Sequence, residues 1–354
     1  MYVRQLVAVT AVLGSVMMGQ PATASARSFV PCNAAALGTA VVAANAAGGG
    51  TLDLAPACTY TLTAPDNGEN GLAVITTPIR INGNLATITR SSVTDFRFFQ
   101  VGGSGQLTLN AVKLRGGRAT NGGAIFVVGG GRATLLATTV TGNTATSVGG
   151  GGIINAGTLE VNSSTVSDNT GGQGGGLNSQ PGSTTTFKGS TVTGNHSVAG
   201  TVAPAGGGMS ILGTVTLNST RLASNDATGS DAFGGGVANA SSLAVTGSLI
   251  HDNAVNGDNA RGGGVYNGAT MKVTDSWFSG NAVTGTTALG GAIFNAGGTS
   301  TLQRITVVSN RASGSGASGG GIFREGGTVT LTGGFVAGNQ PNNCGNPSTV
   351  SGCP

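Results

Sequence analysis

Charge is scarce in this chain: Asp, Glu, Lys and Arg together make up 8% of 354 residues. Beside 38% apolar residues, that scarcity does not suit a disordered chain, which needs many charges and few apolar groups. Aromatic residues are only 4%, with a single Trp, and there are two His. An active site built from clustered ionisable groups therefore has nine Asp and three Glu to draw on. The formal net charge of +4 is too mild to imply a nucleic-acid partner. No apolar run of about 18 residues occurs after the N-terminal segment, so no membrane span is expected in the mature chain. The glycines follow no Gly-X-Y period, which excludes collagen.

What is abundant is glycine, 66 residues of it, and it is placed in register. Eight segments open at Gly122, Gly150, Gly174, Gly206, Gly234, Gly262, Gly290 and Gly319, as Gly-Gly-Gly or Gly-Gly-Ala before an aliphatic residue or Met. They close at Asn143, Asn169, Asn195, Asn225, Asn253, Asn281, Asn310 and Asn339, each with an apolar residue three positions earlier. Opening and closing lie 19 to 21 residues apart, whereas the joint to the next opening varies from 5 to 11. A constant body with a variable joint is the pattern of a repeat with one tolerant surface loop.

Residues 1–26 read as a secretory leader: Arg4, an apolar run from Leu6 to Gly19, then Ala24-Ser25-Ala26 as a small-x-small cleavage site. Secretion makes the four cysteines disulfide candidates, paired locally as Cys32–Cys58 and Cys344–Cys353 at opposite ends. Residues 27–50 read as an N-terminal cap with one helix over 33–47, N-capped by Asn33, presenting Leu37, Val41 and Val42, and stopped by Gly48-Gly49-Gly50. Residues 51–340 read as stacked coils, degenerate up to 117 and clean over 122–339, and 341–354 as a C-terminal disulfide flap.

Each body accommodates three short strands, as in Gly236–Ala238, Leu243–Val245 and Ser248–Ile250. Such strands are too short to stand alone, but coil on coil each gains a ladder of hydrogen bonds at about 4.8 Å per layer. The expected fold is all-β, a single-stranded right-handed parallel β-helix with a capping helix and disulfide-closed ends. Ten or eleven coils would span on the order of 50 Å. Its hollow is filled by the fourth residue of each repeat: Ile125, Ile153, Leu177, Met209, Val237, Val265, Ile293 and Ile322. The closing asparagines suit tight corners and can hydrogen-bond one another as a ladder, with Asn155, Asn239, Asn267 and Asn295 as a second partial column.

The combination of Gly-Gly-Ala-Ile at Gly122–Ile125 and Gly290–Ile293 with Phe278-x-x-Asn281 resembles the polymorphic outer membrane protein repeat, within the pectin-lyase-like superfamily. The likeness covers about residues 51–340 and implies adhesin-like or passenger-domain roles, with polysaccharide lyases and hydrolases in the wider superfamily. No run of amphipathic membrane strands follows the repeats here. The Asp-Asp pair and Gly-His-Gly of polygalacturonases, and the Arg-x-Pro-x-x-Arg of pectate lyases, are also missing.

Three groups are candidates for function. Asp231 and Asp258 precede successive glycine triplets and should lie one layer apart, so that with Arg261 they could act in catalysis; with Asp226 and Asp252 they could hold calcium, the one cofactor implied. Tyr266, Phe294 and Phe323 occupy the fifth repeat position, which strand alternation turns outward, and would form an aromatic stripe for a sugar polymer. Residues 80–132 carry seven basic groups against Asp95 and could hold an acidic polymer. The expectation is a secreted, non-catalytic rod that binds an extracellular polysaccharide or cell-envelope polymer. A carbohydrate-active enzyme of the same fold and a passive structural rod are the alternatives.

Overall fold

In the coil that opens at Gly234, the first glycine takes a left-handed φ of 68° and turns the chain into the strand Val237–Asn239. A second strand, Ser242–Thr246, bends at Gly247 (φ 56°) into a third, Leu249–His251. Asp252 (φ 55°) makes the next corner, Asn253 follows, and a fourth strand runs over Ala254–Asn256. Repeated in parallel, these four segments form the faces of a β-helix of about 11 turns in the computed structural model, which describes residues 27–200, 202–345 and 350–353. Strands of the first face form a nine-stranded sheet, those of the fourth an eight-stranded one, and the second and third share a sheet of 21 strands. The leader expected at residues 1–26 lies outside the described residues.

The fourth face is a strand more than the sequence reading allowed. Its segments hold only two or three residues with one inward side chain, such as Ala227, Val255 or Val283. A single buried residue gives no alternation to detect. The joint after it also holds order: Asn259–Arg261 pairs with Thr287–Leu289. Beneath lies a small separate core of Ala227, Ala232, Val255, Ala260, Val283, Ala288 and Ala312.

The main core is the expected interior column. Ile125, Ile153, Leu177, Met209, Val237, Val265, Ile293 and Ile322 are each at most 1% exposed. The closing asparagines form a continuous ladder: each Nδ2 donates to Oδ1 of the next coil at 2.9 Å, from Asn143 through Asn169, Asn195, Asn225, Asn253, Asn281 and Asn310 to Asn339. Both ends are terminated. Gly117 N–H donates to Asn143 Oδ1, and Asn339 Nδ2 donates to Asn343 in the C-terminal tail. In the second column, Asn239, Asn267 and Asn295 are linked in the same way.

A hydroxyl column escaped the sequence reading. Thr138, Ser164, Ser190, Thr220, Ser248 and Ser276 stand five residues before their asparagines and are buried. Main-chain N–H groups of Thr138, Ser164, Thr220 and Ser248 donate to the hydroxyl one layer on. Both polar columns follow left-handed corners, where the main-chain N–H turns inward and must find an acceptor.

Both ends of the stack are covered. The helix α1, Ala34–Ala46, is N-capped by Asn33 Oδ1, which accepts from Ala35 N–H at 2.8 Å, and it buries Leu37, Val41 and Ala44. Val42 points out, at 51% exposed, because it is one residue off the 3.6-residue face of Leu37, Val41 and Ala44. The disulfide Cys32–Cys58 ties the helix start to the strand Thr59–Leu62. Asn45 anchors its other end by donating to Val74 O and accepting from Thr76 N–H. At the far end, Cys344 and Ser351 bridge to Ile322 and Thr330 of the last coil, and Cys344–Cys353 closes the flap. Two disulfides fit an oxidising, extracellular setting. No helix among the described residues is long and apolar enough to cross a membrane.

Candidate ligand-binding face

Tyr266, Phe294 and Phe323 do stack, one per layer: Tyr266 and Phe294 have ring centroids 5.4 Å apart at 12°, and Phe294 and Phe323 5.6 Å apart at 1°. They do not form an exposed stripe. Phe294 is 0% and Phe323 8% exposed, and Tyr266 is half-buried, with burial the main cause that pushes its hydroxyl pKa up. The joint folds back over this column. Its last residue before the glycines lies against the rings: Phe233 meets Tyr266 at 4.6 Å, and the Arg261 guanidinium sits 5.6 Å from the Phe294 ring centre. The tail closes on the other side, where Gly345 is so near Phe323 that a Cβ there would come within 2.1 Å of the ring. Alternation set the side chains outside the main core, and a loop then buried them. Phe294→Ala is accordingly expected to cost about 3 kcal/mol of stability in denaturant unfolding, as for other buried rings.

The carboxylates do not gather. Register places Ser230, not Asp231, opposite Asp258, since Asn259 N–H donates to Ser230 O; Asp231 instead accepts from Asn259 Nδ2 at 2.9 Å. A shift of one residue in a strand reverses side-chain direction. Asp226 is engaged with His196 and Thr228, and Asp252 with His251 Nδ1 at 2.7 Å. Among the described residues no three His, Cys, Asp or Glu side chains are grouped as a metal site. Arg261, the third catalytic candidate, is taken up by its packing on Phe294.

Of the seven basic residues, Arg90 and Arg97 are largely buried fittings and Arg118 is paired at the surface. Arg90 donates to Gly116 O, Ser92 O and Thr94 O. Arg97 pairs with Glu69 and lies over Phe126, and Arg118 pairs with Asp95. Burial pushes the Arg97 pKa down, with Glu69 opposing that shift.

Three of the nine exposed large apolar side chains among the described residues share a different face. On the third face, parallel pairing sets Arg221, Leu249, Trp277, Thr306 and Phe335 opposite one another in five successive coils. Leu249 is 37%, Trp277 49% and Phe335 61% exposed. Each precedes a buried Ile250, Phe278 or Val336, so alternation fixes it outward. The corner two residues before the row is Ser219, Gly247, Asp275, Arg304 and Gly333, all of them at positive φ. There Arg304 clasps Asp275 with Nε and Nη2 at 2.6 and 2.8 Å. The pairing holds the Asp275 carboxyl below its ordinary range and raises Arg304. On the other flank run His251, Ser279, Val308 and Ala337, with Arg221 Nε donating to His251 Nε2 at 2.9 Å. The result is a strip with large apolar groups in its middle, flanked by polar side chains beside Leu249 and Trp277 (His251, Asp275, Ser279) and by Gly333 and Ala337 beside Phe335.

Comparison with known proteins found no matching family model, no matching curated protein and no matching solved structure.

Proposed function

We propose that the chain is a secreted, non-catalytic β-helix that binds an extracellular polysaccharide or cell-envelope polymer along its third face. The observation that carries this reading is the row of Leu249, Trp277 and Phe335, exposed and in register on a sheet whose outward positions are otherwise mostly polar. Apolar groups aligned on a surface mark a partner, and flat rings suit the apolar faces of sugars. Backbone ladders on both sides of the strands that carry Leu249, Trp277 and Thr306, and on one side of the strand that carries Phe335, pre-organise the strip, so binding orders little of the protein. The likeness of the repeats to polymorphic outer membrane proteins and the pectin-lyase-like superfamily supports the same reading.

Polysaccharide cleavage by Asp231 and Asp258 draws no support from their geometry, since the two are not register partners and Asp231 is held by Asn259. A passive rod leaves the aromatic row without a purpose. Incubating the protein with a panel of neutral and uronate polymers, with and without calcium, tests all three. Retention on at least one polymer with unchanged chain length is expected. Shortened chains would overturn the reading in favour of an enzyme. Failure to be retained on every polymer would leave the passive rod.

A further inference from the structure

We infer that the polymer is a neutral, extended β-1,4-linked polysaccharide lying along the rod axis, with alternate sugar rings seated on Trp277 and Phe335. The inference rests on the binding reading above and names its ligand class.

Spacing is the first argument. Trp277 and Phe335 are separated by one intervening coil, whose residue in the row is Thr306. Two layers of about 4.8 Å put their backbones roughly 10 Å apart, about the length of a disaccharide unit in an extended chain. Successive rings of a β-1,4 chain are turned over, so every second ring offers the same face. Thr306 leaves room for the ring between and presents a hydroxyl to it. The corner beside Phe335 is Gly333 and that beside Leu249 is Gly247, so neither corner places a side chain over these two positions.

Charge is the second. The row, its flanking row and the corners on either side hold Arg221 and Arg304 against Asp252 and Asp275, two positive and two negative groups, for a net of zero. All four are engaged: Arg304 with Asp275, Arg221 with His251, and His251 with Asp252. An anionic polymer finds no excess positive charge here. The guanidinium and carboxylate of the Arg304–Asp275 pair, 62% and 48% exposed, keep outward donors and acceptors for pairs of sugar hydroxyls. Lys113 and Arg115, on the same face nearer the N-terminus, have no ion pair among the described residues and are where an acidic polymer would be drawn instead.

Titration calorimetry of the full chain with cellohexaose and chitohexaose, and with polygalacturonate as the anionic comparison, tests the inference. The expected result is binding of a neutral hexasaccharide, weakened at least tenfold by Trp277→Ala and by Phe335→Ala. Thr306→Phe, which fills the gap between the rings, should weaken it similarly. Thermal melts of these surface variants should match the parent, which separates loss of the site from loss of the fold. Neutral binding that survives Trp277→Ala and Phe335→Ala would overturn the site while leaving a polymer-binding protein. Binding of polygalacturonate alone would overturn the neutral ligand. Binding of none of the three, with no retention on the wider polymer panel, would overturn the binding reading itself.

Discussion

Gly263→Ala is expected to abolish the stable stack. A Cβ on Gly263 would lie 2.4 Å from Gly291 O and 2.6 Å from Ala282 O, both of them main-chain atoms that cannot swing aside. The second glycine of every opening is in the same position, and its Cβ would meet a carbonyl oxygen at 2.5 Å or less in all eight. This is where the first face passes against the start of the fourth, and the coil closes only because nothing projects between them. Relief requires displacing a strand that donates Gly263 N–H to Gly290 O and accepts from Gly236 N–H, so two ladders would be strained together. Overpacking alone costs about 1–3 kcal/mol; with backbone on both sides the loss should exceed about 4 kcal/mol, the range reserved for severe lesions. Gly297→Ala is the matched control, since a Cβ there meets nothing within 4 Å, and a change within about 0.5 kcal/mol is expected. The third glycine is less demanding, and Ala124 and Ala292 already occupy that position in two coils. Soluble yield and guanidinium unfolding of the two variants check the contrast; equal stability would contradict it.

Asn253→Ala, in the middle of the ladder, should cost roughly 4–6 kcal/mol, on the basis of about 1–3 kcal/mol for each buried polar group left without a partner. Asn253 Oδ1 accepts both the main-chain N–H and the Nδ2 of Asn225, at 3.1 and 2.9 Å. Its own Nδ2 donates to Leu222 O and to Asn281 Oδ1, at 3.0 and 2.9 Å. Truncation orphans the Asn225 main-chain donor, removes one Nδ2 acceptor and uncovers the Leu222 carbonyl, all in a region closed to water. Because each coil contacts only its neighbours, the lesion should weaken the coils on either side first. Hydrogen exchange should show that as lost protection centred on Asn225 and Asn281 and fading with distance. Uniform loss along the rod would contradict a nearest-neighbour stack.

The stack was readable from sequence wherever one position repeats under the same constraint in every coil. The buried column holds only aliphatic residues and Met, and the closing corner holds Asn in every coil, so Ile125 to Ile322 and Asn143 to Asn339 declared themselves. What could not be read depends on the path of the joint. The fifth-position rings do project from the main core, but whether Phe294 meets water is decided by Arg261 and the joint that carries it. Residues just before the glycine opening, Phe233 and Arg261, held the only signal of that cover. The exposed row leaves no such mark. The position three before each Asn, Ile250, Phe278 and Val336, is buried and apolar throughout, while Leu249, Trp277 and Phe335 stand one position earlier and point the other way. Outward positions follow no common type from coil to coil, and periodicity is silent about them. Asp231 and Asp258 fail on register: the joints before Gly234 and Gly262 are equally long, so the 28-residue period sets Asp231 opposite Asn259 and Asp258 opposite Ser230, one residue from the alignment the pair needed.

Trp277 is the only tryptophan in the chain, and it is half-exposed in the centre of the proposed strip. Its emission therefore reports on that one place. Titrating the full protein with cellohexaose and chitohexaose should give a saturable blue shift of the tryptophan emission as a sugar ring covers the indole, with the same midpoint as the heat of binding. Saturable glycan binding that leaves the emission of Trp277 unchanged would place the ligand elsewhere and contradict the assignment of the third face.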